Sequence, residues 1–235
     1  MRAIILAAGR GKRMREQTHC VPKPLLKVAG HYLIAYAIGL LKRAGIVEIV
    51  INIACYGDQI KEALGAGERY GVHIVYSEEA MPLETGGGIL KALPLLGREP
   101  FVVISGDVIT DFPLTHFLQH TQHLAHLLMV ENPSYHLTGD FGLEEGVIKL
   151  VGATRYTYAN ISLIHPDLFL GRQAGIFPLR EVLIPAISAG SVTGEIYRGL
   201  WHNVGTPEDL AYVNICARED SNLRPLVSET NTLSN

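Results

Sequence analysis

The sequence has few cysteines, no long apolar run and no excess of positive charge. Its three cysteines, Cys20, Cys55 and Cys216, are far apart and form no Cys-x-x-Cys pair, which favours reduced thiols over a disulfide framework. No apolar stretch reaches membrane-spanning length, and the first residues lack the apolar segment and cleavage site of a signal peptide. The formal net charge of −3 argues against nucleic acid as a partner. These absences predict a cytoplasmic protein with neither nucleic acid nor a membrane as its partner.

The first half of the chain alternates strand-like and helix-like segments. Buried strands are predicted over residues 3–8, 46–53, 72–76 and 100–104, and helices over residues 31–44, 58–64 and 87–96. This alternation predicts βαβ units and an α/β fold with a doubly wound, mainly parallel sheet. Ligands of such sheets bind beyond the carboxyl ends of the strands. We therefore expect the loops at Gly9, Glu84 and Gly106 to converge.

The second half of the chain has a different pattern of predicted elements, with short strands and few helices. Strands are predicted over residues 127–130, 146–151 and 158–164, and helices over residues 179–189 and 207–217. This pattern indicates an antiparallel addition that closes over the first half. No low-complexity linker separates the halves, so the chain is predicted to form one domain over residues 1–220, divided near residue 125. Residues 221–235 are polar and are predicted to form a loose tail.

The first predicted strand runs into a glycine-rich loop, Gly9-Arg-Gly-Lys-Arg13. It is not a P-loop, because Gly-Lys-Ser/Thr is absent, and Met14 stands where a dinucleotide-binding fingerprint has its third glycine. Gly9 and Gly11 allow close approach of a ligand to the backbone, and Lys12 and Arg13 supply positive charge. Such a loop suits a polyphosphate. An ordinary glycine turn remains the alternative from this loop alone.

Three further segments carry candidate site residues. Lys23 lies between Pro22 and Pro24, so its backbone is held stiffly, as a fixed phosphate-binding charge requires. Asp107 follows Ser105-Gly106 at the end of a buried strand, where a carboxylate facing phosphates usually holds Mg²⁺. Residues 85–88, Thr-Gly-Gly-Gly, are predicted to form a loop that can lie against a nucleobase.

A group of histidines needs a separate interpretation. His116, His120 and His123 fall at i, i+4 and i+7 of a predicted helix, and i, i+4 spacing can bind zinc. No cysteine accompanies them, and no carboxylate is near them in the sequence. The sequence therefore predicts a solvated polar helix face. Asp111, which precedes this segment, is predicted to cap the helix that begins near Pro113.

Together these motifs resemble the sugar-1-phosphate nucleotidyltransferase family. The family's Leu-Ala-Ala-Gly-x-Gly-x-Arg-Met and Pro-Lys-Pro motifs match residues 6–14 and 22–24, and the resemblance continues through residues 106–107 to residues 204–207. Residues 82–97, 124–141 and 193–210 resemble the branch that transfers a uridylyl group to N-acetylmuramic acid 1-phosphate in peptidoglycan recycling. The resemblance implies a nucleotidyltransferase fold, a Rossmann-like mixed sheet with a smaller antiparallel sugar-binding lobe.

The resemblance also implies the substrates, the cofactor and the site residues. The substrates would be UTP and a sugar 1-phosphate, Mg²⁺ the cofactor, and Arg13, Lys23 and Asp107 the catalytic residues. A monomer is the default expectation. The sugar phosphate would contact Gly139, Asp140 and Asn160, and the metal would contact Asp107 and Asn203. The implied nucleotide-binding residues are Leu6, Ala7, Ala8, Gly9, Gly11, Arg13, Lys23, Glu79, Gly86 and Ser105.

The chain departs from the family at two positions. Asn203 stands where the resemblance implies a second metal-binding aspartate, and Asn160 stands where it implies a smaller residue in the sugar pocket. Two alternatives therefore stay open from the sequence. One is another member of the class, a mannose-1-phosphate guanylyltransferase or a glucose-1-phosphate thymidylyltransferase. The other is a nucleotide-binding regulatory protein that has lost turnover.

Overall fold

The computed structural model describes residues 1–9, 11, 13–14 and 21–219, and the side chains as far as residue 217. Lys12, Cys20 and the predicted tail lie outside the described residues. The strands are β1 (Arg2–Leu6), β2 (Lys27–Val28), β3 (His31–Tyr32), β4 (Glu48–Ile53), β5 (His73–Glu78), β6 (Phe101–Ser105), β7 (Val108–Thr110), β8 (Ala125–Val130), β9 (Phe141–Glu144), β10 (Val147–Lys149), β11 (Arg155–Ile164), β12 (Val192–Tyr197) and β13 (Trp201–Asn203). The helices are α1 (Leu33–Arg43), α2 (Gly57–Leu64), α3 (Glu84–Leu96), α4 (Leu114–Phe117), α5 (Arg180–Ser188) and α6 (Pro207–Glu219).

One mixed sheet of nine strands runs through both halves of the described chain, in the order β5, β4, β1, β6, β11, β8, β12, β10, β9. The first four strands in this order are mutually parallel, as the alternation of segments predicts. From β11 onward most pairings are antiparallel, although β12 is parallel to β8. The α/β class with a mixed sheet is confirmed, and the change of direction falls between β6 and β11.

Both faces of the sheet are covered, because the parallel strands are apolar on both sides. Ile4 and Ile5 are adjacent on β1 and fully buried, and they point to opposite faces. Ile5 belongs to the cluster that contains Ile34 of α1, whereas Ile4 belongs to the cluster that contains Ile89 of α3. This two-sided packing fixes β1 at the centre of the core, so the loop that follows it starts from a rigid position.

The glycines at residues 86–88 are helical, so the predicted helix over residues 87–96 is present and starts earlier, and the prediction of a loop over residues 85–88 is wrong. They form the first turns of α3, which begins at Glu84. A Cβ on Gly86 would lie 2.5 Å from the Phe177 ring, and one on Gly87 would lie 2.2 Å from the carbonyl oxygen of Gly175. The glycines are thus explained by close packing of the helix against residues 175–177.

The histidine segment also differs from its prediction. Helix α4 ends at Phe117, so His120 and His123 lie beyond it and the three residues do not share one helix face. His120 is half-buried, and its ring stacks on His126 of β8 with centroids 3.9 Å apart. Asp111 does not cap α4. Its Oδ1 instead accepts hydrogen bonds from the Tyr197 hydroxyl and from the backbone N–H of Leu200.

A short antiparallel ladder joins the two halves near the centre of the molecule. Strands β7 and β13 pair with Asn203 opposite Val108, and the Val204 N–H donates to the carbonyl oxygen of Asp107 at 2.9 Å. The sequence analysis predicted neither strand, because three residues carry too little pattern. The ladder brings the segment after β6 next to residues 203–205. None of the helices in the described ranges is long and apolar enough to cross a membrane.

Candidate active site

A cavity of about 320 Å³ opens at the carboxyl ends of β1 and β6. Gly9, Glu84 and Gly106 all line it, so the three loops converge as their positions after the strands predict. Backbone geometry is unusual at its rim, since Glu84 has a φ of +60°, a value that non-glycine residues rarely adopt. Such outliers are concentrated at functional sites. The full lining comprises Leu6, Ala7, Ala8, Gly9, Gly11, Arg13, Lys23, Pro24, Asn52, Pro82, Glu84, Thr85, Ser105, Gly106, Asp107 and Gly205.

An ion pair between Lys23 and Asp107 lies in this cavity. The Lys23 ammonium donates to Oδ2 of Asp107, and the two side chains are 11% and 21% exposed. Lys23 begins a 3₁₀ turn whose Pro24 and Leu25 are buried, so the backbone that carries the lysine is anchored in the core. A fixed cation and a fixed carboxylate therefore lie side by side where the backbone leaves room for a ligand.

Arg13 supplies a second cation from the other wall. A Cβ on Gly205 would lie 3.3 Å from the Arg13 guanidinium carbon, so the guanidinium lies against the bare backbone at Gly205. That backbone is held by a capping box at the start of α6. Asp209 Oδ2 accepts from the N–H groups of Gly205 and Thr206, and Thr206 Oγ1 accepts from the N–H of Asp209.

A buried polar network fixes the end of β1 relative to α3. Asn52 Oδ1 accepts from the Ala7 N–H at 2.8 Å, and Asn52 Nδ2 donates to Glu79 Oε1 at 2.7 Å. The other oxygen of Glu79 accepts from the Leu83 N–H. Glu79 is only 6% exposed and, of the described residues, is not one that lines the cavity. It positions the loops through Asn52, a residue that the sequence analysis missed.

Two buried side-chain oxygens at this site lack hydrogen-bond partners within the described part of the chain: Asp107 Oδ1 and Asn203 Oδ1. The β7–β13 ladder makes these residues neighbours. A buried, unpaired oxygen is costly unless a ligand satisfies it. Carboxylate and amide oxygens are hard ligands of the kind that Mg²⁺ takes. The residues present therefore fit a hard divalent cation, with one negative charge supplied by the protein.

A second cavity, of about 150 Å³, shares Leu6 and Thr85 with the first. Asp140 and Asn160 line it, together with Arg180 at the start of α5. Asp140 Oδ2 accepts from the Tyr158 N–H at 2.9 Å. Asn160 has a φ of +59° within an irregular part of β11, which turns this position out of the regular strand. Burial raises the pKa of the Tyr158 phenol, so this wall residue stays neutral.

The structure brings most of the predicted site residues together. Glu79, Gly86 and Gly139, however, are not among the residues that line the main and second cavities. Gly86 packs on Phe177, and Gly139 packs on Asn132, where a Cβ would lie 2.8 Å from the amide oxygen. Asn203 lies at the edge of a third cavity, of about 560 Å³, with Arg198 and Trp201 in its wall. Thr85 lines both the main and the second cavity, as its place in the predicted nucleobase segment suggests, whereas Arg180 and Gly205 were not among the predicted site residues, because their places depend on contacts between distant segments.

The fold and the cavity are those of an enzyme that transfers a nucleotide. The chain belongs to the nucleotidyl transferase family, whose profile matches residues 2–145. It is 47% identical over 216 residues to the N-acetylmuramate alpha-1-phosphate uridylyltransferase of Neisseria meningitidis serogroup B, with 88% of this chain and 94% of that chain covered. It is 31% identical to the enzyme of the same name from Caulobacter vibrioides, with 88% and 92% covered. Among solved structures, the inositol-1-phosphate CTP transferase from T. maritima superposes with a TM-score of 0.80 at 21% identity, with 97% of each chain covered, which is a likeness of fold.

Proposed function

We propose that the protein transfers UMP from UTP to N-acetylmuramic acid α-1-phosphate, giving UDP-N-acetylmuramic acid and pyrophosphate, and that it acts in peptidoglycan recycling. The observation that carries this proposal is the 47% identity to a uridylyltransferase over nearly the full length of both chains. The cavity supports it, because paired cations and a carboxylate lie at the end of the central strand. The enzyme is proposed to be a cytoplasmic monomer.

The proposed reaction needs no general base from the protein. The attacking atom is an oxygen of the sugar 1-phosphate, which is already an anion. A bond forms between this oxygen and the α-phosphorus of UTP, and the bond from that phosphorus to the bridging oxygen of pyrophosphate breaks. The protein's part is therefore to position the reactants and to stabilise the charge that develops on the phosphates.

Each cavity has a proposed role in that task. Residues 6–9 with Gly11, Arg13 and Lys23 hold the triphosphate, and Asp140, Asn160 and Arg180 bind the acceptor. Leu6 and Thr85 line both cavities and so bring the acceptor next to the triphosphate. Glu79 and Gly86 act indirectly, by holding the end of β1 and the start of α3. This assignment gives a nucleotide-binding half at about residues 1–125 and a sugar-binding half at about residues 126–220.

Asp107 and Asn203 are proposed to hold Mg²⁺, whose bound charge offsets that of the phosphates. The unpaired oxygens of both side chains support this proposal. Lys23 would neutralise the second oxygen of Asp107 until substrate arrives. With one carboxylate and one amide the site carries less negative charge than a pair of carboxylates. We therefore propose an active enzyme with a weak metal site, in preference to a regulatory protein without turnover.

Changing Asn203 to aspartate is expected to lower the Mg²⁺ concentration at half-maximal rate about tenfold or more, the scale of changes around a metal site. The physical reason is one added negative charge next to the cation, worth about 4 kcal/mol at 4 Å and an effective dielectric of 20 before solvation offsets it. Mg²⁺ should be titrated at fixed UTP, and its effect on Tm measured separately without substrate. The control is Gln59→Glu, which adds the same charge at an exposed position that lines neither the main nor the third cavity. An unchanged midpoint in Asn203→Asp would place residue 203 outside the metal shell.

The substrate assignment predicts a ratio of kcat/KM. UTP with N-acetylmuramic acid 1-phosphate should exceed GTP with mannose 1-phosphate by on the order of a hundredfold or more, because a site that hydrogen-bonds one base leaves groups unpaired with another. Pyrophosphate release with four nucleotides and a panel of sugar 1-phosphates measures this directly. A higher value for the GTP pair would indicate the guanylyltransferase instead.

A variant of Arg180 tests which part of the sugar acceptor the site recognises, by the same measurement of kcat/KM. N-acetylmuramic acid differs from N-acetylglucosamine by a carboxylate-bearing substituent, and a guanidinium pairs well with a carboxylate. Arg180→Gln should therefore lower kcat/KM for the muramate acceptor and leave that for the glucosamine acceptor unchanged. The control is Arg172→Gln, an arginine that pairs with Glu181 near the same helix. Equal losses on both acceptors would remove Arg180 from the recognition of the carboxylate.

A further inference from the structure

His116, His120 and Glu195 bring three possible metal ligands together, and none of them lines the three cavities described above. One ring nitrogen from each histidine and one carboxylate oxygen all lie within 4.8 Å of one another. The histidines come from the segment around α4, and the glutamate comes from β12, about 75 positions later in the chain. The carboxylate that the sequence did not offer near these histidines is supplied by the fold.

The position of the two histidines is fixed by the packing of α4. Phe117 is fully buried and makes edge contacts with Phe112 and His126, with centroids 5.5 and 4.9 Å away. The chain then continues in a turn, with the Gln119 N–H donating to the His116 carbonyl at 3.0 Å. This turn keeps His120 near His116, and their ring centroids are 5.6 Å apart.

The position of Glu195 is fixed by the sheet. Strand β12 pairs with β8 in parallel, with Thr193 opposite His126 and Glu195 opposite Leu128. Alternate residues of a strand share a face. Thr193 Oγ1 bonds the His126 ring at 2.8 Å, so Glu195 lies on the same face, next to the ring on which His120 stacks.

His120 carries the observation that points to a ligand. Its Nε2 is buried and has no hydrogen-bond partner among the described residues. A buried ring nitrogen without a partner is costly unless a ligand satisfies it, and a metal ion is one such ligand. His116 is exposed, so it can rotate to complete a site.

The ligand chemistry selects the type of metal. Two imidazoles and one carboxylate are the protein ligands of open zinc sites, in which water takes the fourth position. Imidazole nitrogen suits zinc and disfavours Mg²⁺ and Ca²⁺, which take oxygen ligands. Ligand atoms around tetrahedral zinc lie roughly 3.4 Å apart, given bonds of about 2.0–2.1 Å, so modest side-chain rotations would close the site.

We propose that His116, His120 and Glu195 form a binding site for a divalent transition metal, with Zn²⁺ as its ligand, separate from the proposed Mg²⁺ site at Asp107. Bound zinc would link two segments of the chain. One is the segment around α4, which follows β7, and the other is β12, which precedes β13. These two segments are continuous with β7 and β13, the strands whose pairing brings Asp107 and Asn203 together. The site would therefore clamp the frame of the active site and would take no part in the chemistry.

The test measures zinc binding to the full chain in the Asp107→Asn background without nucleotide, so that the proposed active-site carboxylate contributes no charge. One Zn²⁺ per chain is expected, with a rise in Tm on binding. His116→Ala and Glu195→Gln should each weaken binding at least about tenfold, the scale of altered metal sites. His123→Ala is the matched control, because His123 is close in sequence but outside the three-residue group. Co²⁺ bound in the same place should show the visible spectrum of a tetrahedral nitrogen and oxygen site.

Each outcome of the zinc-binding test either supports or overturns the proposed site. Loss of binding in His116→Ala and Glu195→Gln, with none in His123→Ala, supports the site. Equal loss in His123→Ala, unchanged binding in all three variants, or no stoichiometric zinc would overturn it. His116 is exposed, so His116→Ala tests the site without disturbing the core. In the otherwise wild-type chain, His116→Ala should also keep the metal-free Tm and, with Mg²⁺, the basal transferase rate, and this result separates failure of the zinc site from failure of the proposed function.

Discussion

Replacing Asp107 with asparagine is expected to lower kcat by at least about a thousandfold, the upper end of what one fixed electrostatic group contributes to catalysis. The change keeps the size of the side chain but removes its negative charge. Oδ1 of Asp107 has no protein partner within the described ranges, and Oδ2 is held by Lys23. A neutral amide would hold a cation poorly and would place a donor next to the Lys23 ammonium.

The same change should leave nucleotide binding in metal-free buffer intact or tighter. Without a cation the carboxylate repels the triphosphate, so its removal lowers a repulsion. Calorimetric titration with UTP in the presence of a chelator measures the binding, and single-turnover rates with saturating Mg²⁺ measure the chemistry. A loss of turnover with retained binding is the specific signature of a group that acts on the reacting phosphates.

The control for this experiment is Asp111→Asn. Asp111 lies four residues further along the chain, but its Oδ1 is engaged by Tyr197 and Leu200 and it does not line the main cavity. Its turnover should stay close to that of the wild type, and any loss of Tm reports its structural bonds. Turnover of Asp107→Asn within about tenfold of the wild type would contradict the role proposed for Asp107.

The parts of the site that could be predicted from sequence are those set by local backbone geometry. Gly9 and Asp107 follow buried parallel strands, and the carboxyl ends of such strands meet at one edge of the sheet. The Pro-Lys-Pro turn is local in the same sense, because proline restricts the backbone on both sides of Lys23. These loops need no distant contact to be recognised, and the structure places all three at one cavity.

The parts that could not be predicted depend on residues far apart in the chain. Residues 85–88 suggest a loop because glycine disfavours helices, yet the helix already includes Gly86, whose close contact with Phe177 leaves no room for a Cβ. The resemblance implies that Glu79 binds the nucleotide, whereas in the structure Asn52 and Leu83 take up both of its oxygens. The histidines lacked a carboxylate only in sequence, since Glu195 reaches them through the pairing of β12 with β8. In each case tertiary contacts override a local pattern.

Replacing Lys23 with methionine is expected to lower kcat by on the order of a hundredfold or more, as removal of one fixed charge-stabilising donor does. Methionine keeps an unbranched apolar stem of similar length, so packing against the buried Pro24 and Leu25 is preserved and only the ammonium is lost. The Lys23 ammonium is held at 11% exposure beside Asp107, and it is therefore pre-positioned before substrate arrives.

Lys27→Met is the matched control, because Lys27 lies on β2, is exposed and does not line the main cavity. It should keep the wild-type rate. Near-normal turnover of Lys23→Met at saturating UTP would show that the lysine only balances the charge of Asp107.

The double variant Lys23→Met, Asp107→Asn decides between a role of Lys23 in catalysis and a role in balancing the charge of Asp107. If both side chains act on the same phosphates, the double variant should be no slower than Asp107→Asn alone, because the effects of groups that act as a unit do not add. If the two act independently, the losses should multiply. A stopped assay for pyrophosphate over long times measures all four proteins on one scale, and Tm values for the same four separate loss of the ion pair's stabilisation from loss of catalysis.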